Sequence, residues 1–145
     1  MNLPEYVTKD EVRRTCTELG IRDWTTLGHP SVLAVEAKAI LAQVNVAGLA
    51  IDAEQFRLGL EVELEHGTMY PDANVTNNHP ILTGKIVIAH LHETLDYYMR
   101  LEVAELEGDV LKALRAGDAA KLQAKLKALG QARLALAQAE AQQTQ

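Results

Sequence analysis

Aromatic side chains are scarce in this chain: they make up 4% of 145 residues, with one Trp, one Phe and four Tyr. A β-sandwich relies on aromatic and β-branched residues to fill its pleated faces. With 48% hydrophobic residues, the core must instead be built from Leu, Val, Ile and Ala, which suits packed helices. Cysteine is nearly absent. Cys16 stands alone, which excludes an intrachain disulfide and a zinc–thiolate cluster. No run approaches the ~18 uninterrupted apolar residues that a membrane-spanning helix requires. The opening Met1-Asn-Leu-Pro-Glu-Tyr-Val7 has neither the basic flank nor the apolar stretch of a secretory signal. The setting expected is therefore the reducing cytoplasm of a bacterium or an infected host cell. Basic excess is lacking too. The formal net charge is −6, which argues against a nucleic-acid surface. There is no Gly-rich phosphate loop and no G-x-S-x-G elbow, and Cys16 sits on an apolar helical stripe, so nucleophilic catalysis is not expected.

What is present is helical periodicity. One helix is predicted over Lys9–Leu19, with Thr8 as N-cap, Glu11 three residues on and Gly20 at the end. Trp24 follows in a turn, as a core plug. A second helix is predicted from about Ser31 to Val46 on Leu33, Ala37, Ile40 and Val44. Asp52 caps a third, with Gln55 completing the box, and Gly67 is read as its stop after His66. Residues 67–79 form a loop. Pro80 opens a fourth helix reaching Glu107 or Ala116, and Asp118 caps a last one to about Ala139, with 142–145 as a frayed end. No run alternates with period two long enough for a convincing strand. The fold class expected is all-α, a bundle of about five helices with the last three long and up-and-down. The domain reading is a single body over 1–117, with the helix of 118–145 packing on it or on a partner. Residues 1–108 hold eight Lys/Arg and seventeen Asp/Glu, and 109–145 hold six and three. An acidic body and a mildly basic last helix suit pairing within or between chains.

Two segments carry the chemistry. Leu60-Glu-Val-Glu-Leu-Glu-His-Gly67 sets Glu63 and His66 one turn apart. On a wheel at about 100° per residue they lie with Gly59 between the flanks Phe56/Leu60/Leu64 and Leu58/Val62, so both are expected to face inward. In the fourth helix Ile86, His90, Glu93 and Tyr97 share a stripe beside Ile88, Leu91, Leu95 and Met99. A buried carboxylate must be paired, protonated or metal-bound. Ferritin-like bundles present Glu-x-x-His pairs to iron or manganese in this way. Glu63, His66, His90 and Glu93 are thus the candidate ligands of one divalent metal (iron, manganese or zinc), with Asp96 and Tyr97 behind them. Two more carboxylates would be needed, and Glu36 is one source. The competing reading is a hydrogen-bonded polar brace without cofactor.

Weaker signals have simpler explanations. His92-Glu-Thr-Leu-Asp96 resembles the zinc-protease H-E-x-x-H with its last histidine replaced. Asp72, Asn74, Asn77 and Asn78 could offer oxygen to calcium, but their spacing is that of turns. His29 and His79 each precede proline and read as turn or cap residues. The last helix carries Leu122, Leu126, Leu129 and Leu136 at near-heptad spacing, interrupted by Arg133, a stripe able to dock on the bundle or on a neighbouring subunit.

The segments Phe56-Arg-Leu-Gly-Leu-Glu-Val-Glu-Leu-Glu-His-Gly67, Asn74-Val-Thr-Asn-Asn78 and Gly84-Lys-Ile-Val-Ile-Ala-His-Leu-His-Glu-Thr-Leu-Asp-Tyr-Tyr-Met-Arg-Leu101 resemble a small uncharacterised helical family of bacteria and bacteriophages. Its members look like F-x-x-G-x-x-x-E-x-E-H-G, then V-T, then K-I-A-x-A-H-L-x-E-x-x-D-Y-Y-x-x-L. The likeness covers about 52–103. It implies that Glu63, His66, His90, Glu93, Asp96 and Tyr97 match the family's shared polar set, and it implies no reaction. Leu95 stands where members often carry proline, so a straighter fourth helix is expected. The first 50 residues and the last helix lie outside the resemblance. The favoured function is a non-enzymatic structural or interaction module that oligomerises or docks in an assembly such as a phage virion, with protein partners or itself and neither nucleic acid nor membrane. The alternative is a ferritin-like metalloprotein.

Overall fold

The computed structural model describes residues 5–143. The first residues of the opening stretch and the last two of the expected frayed end lie outside them. Six α-helices and two short 3₁₀ turns make up the regular structure, with no strand among the described residues. The chain divides between Leu95 and Asp96 into two compact units. That division falls inside the long helix expected from the sequence.

The first unit holds α1 (Lys9–Leu19), α2 (Ala34–Val44), α3 (Ala53–Met69) and α4 (Pro80–Glu93). Both ends of α1 are set by local chemistry. Thr8 Oγ1 accepts from Glu11 N at 3.2 Å, and Gly20 turns left-handed at φ 66°. α2 starts three residues later than expected because Leu33 is its N-cap; the Glu36 carboxylate accepts the Leu33 N–H at 2.9 Å. α3 is capped by Asp52, which accepts from Glu54 N and Gln55 N, both at 3.0 Å. It then runs through Gly67 to Met69. Val12, Trp24, Ile40, Phe56, Leu60 and Val87 are fully buried and form the core, with Trp24 as the expected plug. α2, α3 and α4 pack against one another, and α1 against α4 and the 3₁₀ turn Trp24–Thr26. At Gly84 an added Cβ would lie 2.6 Å from Ile40 Cγ2 and 3.4 Å from Phe56 Cζ, so only glycine lets α4 come this close.

Beneath the α2 start, Arg22 and Glu36 form a two-pronged ion pair. Nε and Nη2 donate to the carboxylate at 2.8 and 2.6 Å, and Arg22 N adds a third bond at 3.1 Å. Glu36 is 1% exposed. Burial pushes its carboxyl pKa up, while the Arg22 side chain and the Leu33 and Arg22 N–H groups pull it further down; the net shift is downward.

The second unit is a hairpin of α5 (Tyr97–Ala116) and α6 (Ala119–Gln143). Gly117, left-handed at φ 66°, reverses the chain, and Asp118 Oδ1 caps α6 through Lys121 N at 2.9 Å. The two helices are joined by Arg100–Glu140 at 2.7 Å, Lys125–Asp109 at 2.7 Å and Arg133–Glu107 at 2.6 Å. Tyr97 and Tyr98 meet edge to face, 5.2 Å between centroids.

The sequence reads α4 and α5 as one helix. They are separate because Thr94 is extended (φ −159°, ψ 140°) and Asp96 starts a new helix. The buried Asp96 carboxylate holds Arg100 at both oxygens, each at 2.9 Å. The break occurs with Leu95 in the place of proline, so a straight fourth helix is not what this substitution produces.

Candidate functional site

α3 and α4 bring the predicted polar residues only partly together. Glu63 is 9% exposed in its side chain, and its Oε1 lies 3.0 Å from His90 Nδ1. A carboxylate can only accept, so Nδ1 carries the proton that joins them. His66 Nδ1 lies 3.8 Å from Glu63 Oε2 and bonds instead to the Glu63 carbonyl at 3.1 Å, with its side chain 66% exposed. His66 therefore does not face inward as the wheel suggests. It sits in the last turn of α3, where few neighbours remain to cover it. Glu93, the last residue of α4, is exposed and takes part in none of these pairs. Had α4 continued into α5, Glu93 would lie mid-helix; the break at Thr94 leaves it at a solvent end.

The expected ligand set therefore does not close. One carboxylate and two imidazoles approach each other, but a divalent ion needs its donors within ~2.2 Å of one point. Among the described residues no three His, Cys, Asp or Glu side chains form a group that could hold a metal ion. Glu36, the proposed supplementary ligand, is committed to Arg22. Asp96 and Tyr97 begin α5 in the second unit, with Asp96 bound to Arg100. His92 and Asp96 fall on either side of the break, so the protease-like spacing never becomes a shared helical face. Burial pushes the Cys16 thiol pKa up, which makes it a poor nucleophile.

The loop between α3 and α4 contributes more than its composition suggests. Asn77 and Asn78 adopt left-handed backbone at φ 49° and 60°, a conformation asparagine tolerates. Asn74 Oδ1 accepts from Asn78 N at 3.1 Å, and Asn77 Nδ2 donates to Val7 O at 2.6 Å. The first bond ties the loop to itself and the second ties it to the segment before α1, which accounts for these amides without calcium. His79 is buried and caps α4: Nδ1 accepts from Ile81 N at 3.2 Å and from Leu82 N at 3.4 Å, while Nε2 faces Thr15 Oγ1 at 3.4 Å. The cap reading of His79 is the one its geometry shows. Burial lowers its pKa.

Gly67 is the hinge of this arrangement, and its role is not that of a helix stop. An added Cβ would lie 1.9 Å from Asn78 Oδ1 and 2.9 Å from the Asn74 side chain. The bare face of α3 at Gly67 is where the loop lies down. Between them α3, the loop and α4 line a half-open cavity of about 260 Å³, walled by Glu63 and His66, by Asn74, Thr76 and Asn78, and by Thr83. The wheel found Glu63 and His66. It missed the asparagines and threonines, whose signal was the pairing of a glycine late in α3 with the Asn77-Asn78 dipeptide.

The last helix also departs from expectation in detail. Leu129 is buried, Leu122 and Leu136 are half-buried, and Leu126 is 50% exposed. Ala132, also buried, occupies the seam where the heptad would place Arg133. Most of the leucine stripe is thus spent within the hairpin.

The chain belongs to a protein family of unknown function, DUF5661, whose model matches residues 12–107. The match takes in most of α1 and all of α2, which the motif resemblance had left outside, and ends within α5. No curated protein and no solved structure matches the chain.

Proposed function

We propose that this protein is a non-enzymatic interaction module that self-associates through its α5–α6 hairpin, with the Glu63–His90 pair as an internal brace of the first unit. The observation that carries this reading is an uncovered apolar face. Leu111, Leu114, Leu126 and Leu134 are 46%, 60%, 50% and 61% exposed. On helical wheels the first two lie on one flank of the α5 seam and the last two on one flank of the α6 seam. In an antiparallel pair those flanks fall on the same side of the hairpin. Two helices are half of a four-helix bundle, and a second copy supplies the missing half with the same face.

Charge and area support a second copy as the occupant. Residues 96–145 contain seven Lys/Arg and seven Asp/Glu, so the hairpin is formally neutral and two hairpins meet without net repulsion. A 20-residue α5 is ~30 Å long at 1.5 Å per residue. Two helices at ~9 Å spacing present a strip ~20 Å wide. That is ~600 Å² per copy, or ~1,200 Å² in total, which reaches the lower bound for a stable interface.

Light scattering on the full chain tests this. Twice the mass of one chain is expected, falling to one on Leu126→Lys with Leu134→Lys while helicity stays unchanged. A chain that is monomeric at every concentration refutes the assembly, as does a dimer indifferent to both lysines.

A further inference from the structure

The cavity beside Glu63 lies in the first unit and is independent of the hairpin. We propose that it is a binding site for a small organic cation, an ammonium or amidinium head on a short apolar stem. Four observations converge on this class. The cavity, at about 260 Å³, is far larger than the ~30 Å³ share of one water and approaches the size of small-ligand pockets. Glu63 is the only Asp, Glu, Lys or Arg on its wall. The remaining polar wall is the His66 imidazole, whose side chain is 66% exposed, with amide and hydroxyl from Asn74, Thr76, Asn78 and Thr83, whose oxygens accept from a cation's N–H groups, while Leu64, Val75 and Ile86 give an apolar side for a stem. Finally, residues 1–95 hold seven Lys/Arg and thirteen Asp/Glu, so the whole −6 of the chain is carried by the unit that contains the cavity. That field concentrates cations and repels anions.

The floor of the site is built rather than incidental. It exists because Gly67 has no side chain to meet Asn78, and because Asn74 Oδ1 fixes the loop through the Asn78 N–H. The Glu63 carboxylate is held in orientation by His90 at 3.0 Å, so a ligand finds it preorganised.

The test is a titration of the full chain with butylammonium, with butyrate as the opposite-charge control, read by NMR at the Gly67 and Asn78 amides. Saturable shifts with butylammonium are expected at about millimolar affinity, as befits so few contact atoms, with no response to butyrate. Glu63→Gln weakens the binding at least ~10-fold. Should that variant fail to fold, Ile86→Phe decides: it fills the cavity from a position already 40% exposed, and abolishes the shifts in a chain of unchanged helicity. The proposal is overturned if no saturable shift appears, if butyrate acts equally, if either folded variant still binds as wild type, or if zinc saturates these amides where butylammonium does not.

Discussion

Replacing Gly67 by alanine separates two readings of the Glu-His-Gly segment. As a residue inside α3, alanine favours the helix by ~1 kcal/mol over glycine. If Gly67 served only as a helix former or stop, Gly67→Ala would be neutral or stabilising. Its environment opposes this. The new Cβ would lie 1.9 Å from Asn78 Oδ1 and 2.9 Å from Asn74 Cγ and Oδ1. Asn78 is 6% exposed and left-handed, and Asn74 is tied to it at 3.1 Å, so neither yields without disturbing the loop. Overpacking of this kind costs ~1–3 kcal/mol, which leaves a net loss of up to ~2 kcal/mol after the helix gain. Urea unfolding followed by fluorescence of Trp24, the single buried tryptophan of the first unit, measures it as a fall of up to ~1 M in midpoint at a slope of ~2 kcal/mol/M. Gly130→Ala is the control. It lies within α6 with nothing within 4 Å of the added carbon, and circular dichroism should show a gain of ~0.5–1 kcal/mol. Asn78→Gly keeps the left-handed backbone, removes the clashing oxygen, and should recover part of the loss in the Gly67→Ala chain. A stabilised Gly67→Ala, or a double variant no better than the sum of its parts, refutes the close approach.

The buried ion pair should be asymmetric. Arg22→Ala strands a carboxylate that is 1% exposed and should cost ~3–5 kcal/mol; Glu36→Gln leaves a 41% exposed guanidinium that reaches water, and should cost ~1–2 kcal/mol. In the parent the Glu36 carboxyl is held below its ordinary 4.5, so its contribution is present above that value and is lost as pH falls further. Without the Arg22 side chain a large lowering influence is lost and burial is opposed only by the two N–H groups, so less of this contribution remains to be lost, and the deficit of Arg22→Ala in urea titrations should narrow as pH falls below ~4.5. The buried His79 is held below its ordinary 6.5, so the unfolded chain takes up the proton first. Stability should be full above ~6.5 and decline as pH falls below it, and His79→Asn, which keeps a capping acceptor, should flatten that slope.

Where an element carries its own punctuation, the sequence located it. α1 matches to the residue because Thr8 and Gly20 act through backbone groups of α1 itself. Gly67 looks the same as Gly20 in sequence, yet it lies inside a helix, because its meaning is set by a loop that packs on it. The break at Thr94 was invisible for the opposite reason. Leu91, Leu95 and Met99 keep helical spacing straight across it, and the interruption is written in Asp96, which binds Arg100. The i, i+3 spacing correctly placed Glu63 and His66 on one side of α3. It could not say that only the first is covered, since coverage of a terminal turn depends on what the next element does.

Where the chain is divided also changes its electrostatic reading. Divided after Gly108, the chain reads as an acidic body and a basic tail that would attract within one molecule. Divided after Leu95, it is an acidic unit carrying the full −6 and a hairpin of equal positive and negative count. Net charge then supplies no pull between the parts. What holds α6 in place is its seam with α5 and three cross-helix ion pairs, at least two of them largely exposed, each contributing ~0–1 kcal/mol. The buried residues of the two helices, Tyr98 and Ala113 in α5 and Leu129 and Ala132 in α6, are few for 45 helical residues. The force that would make such a hairpin rigid is burial of its leucine face, which a single copy leaves in water.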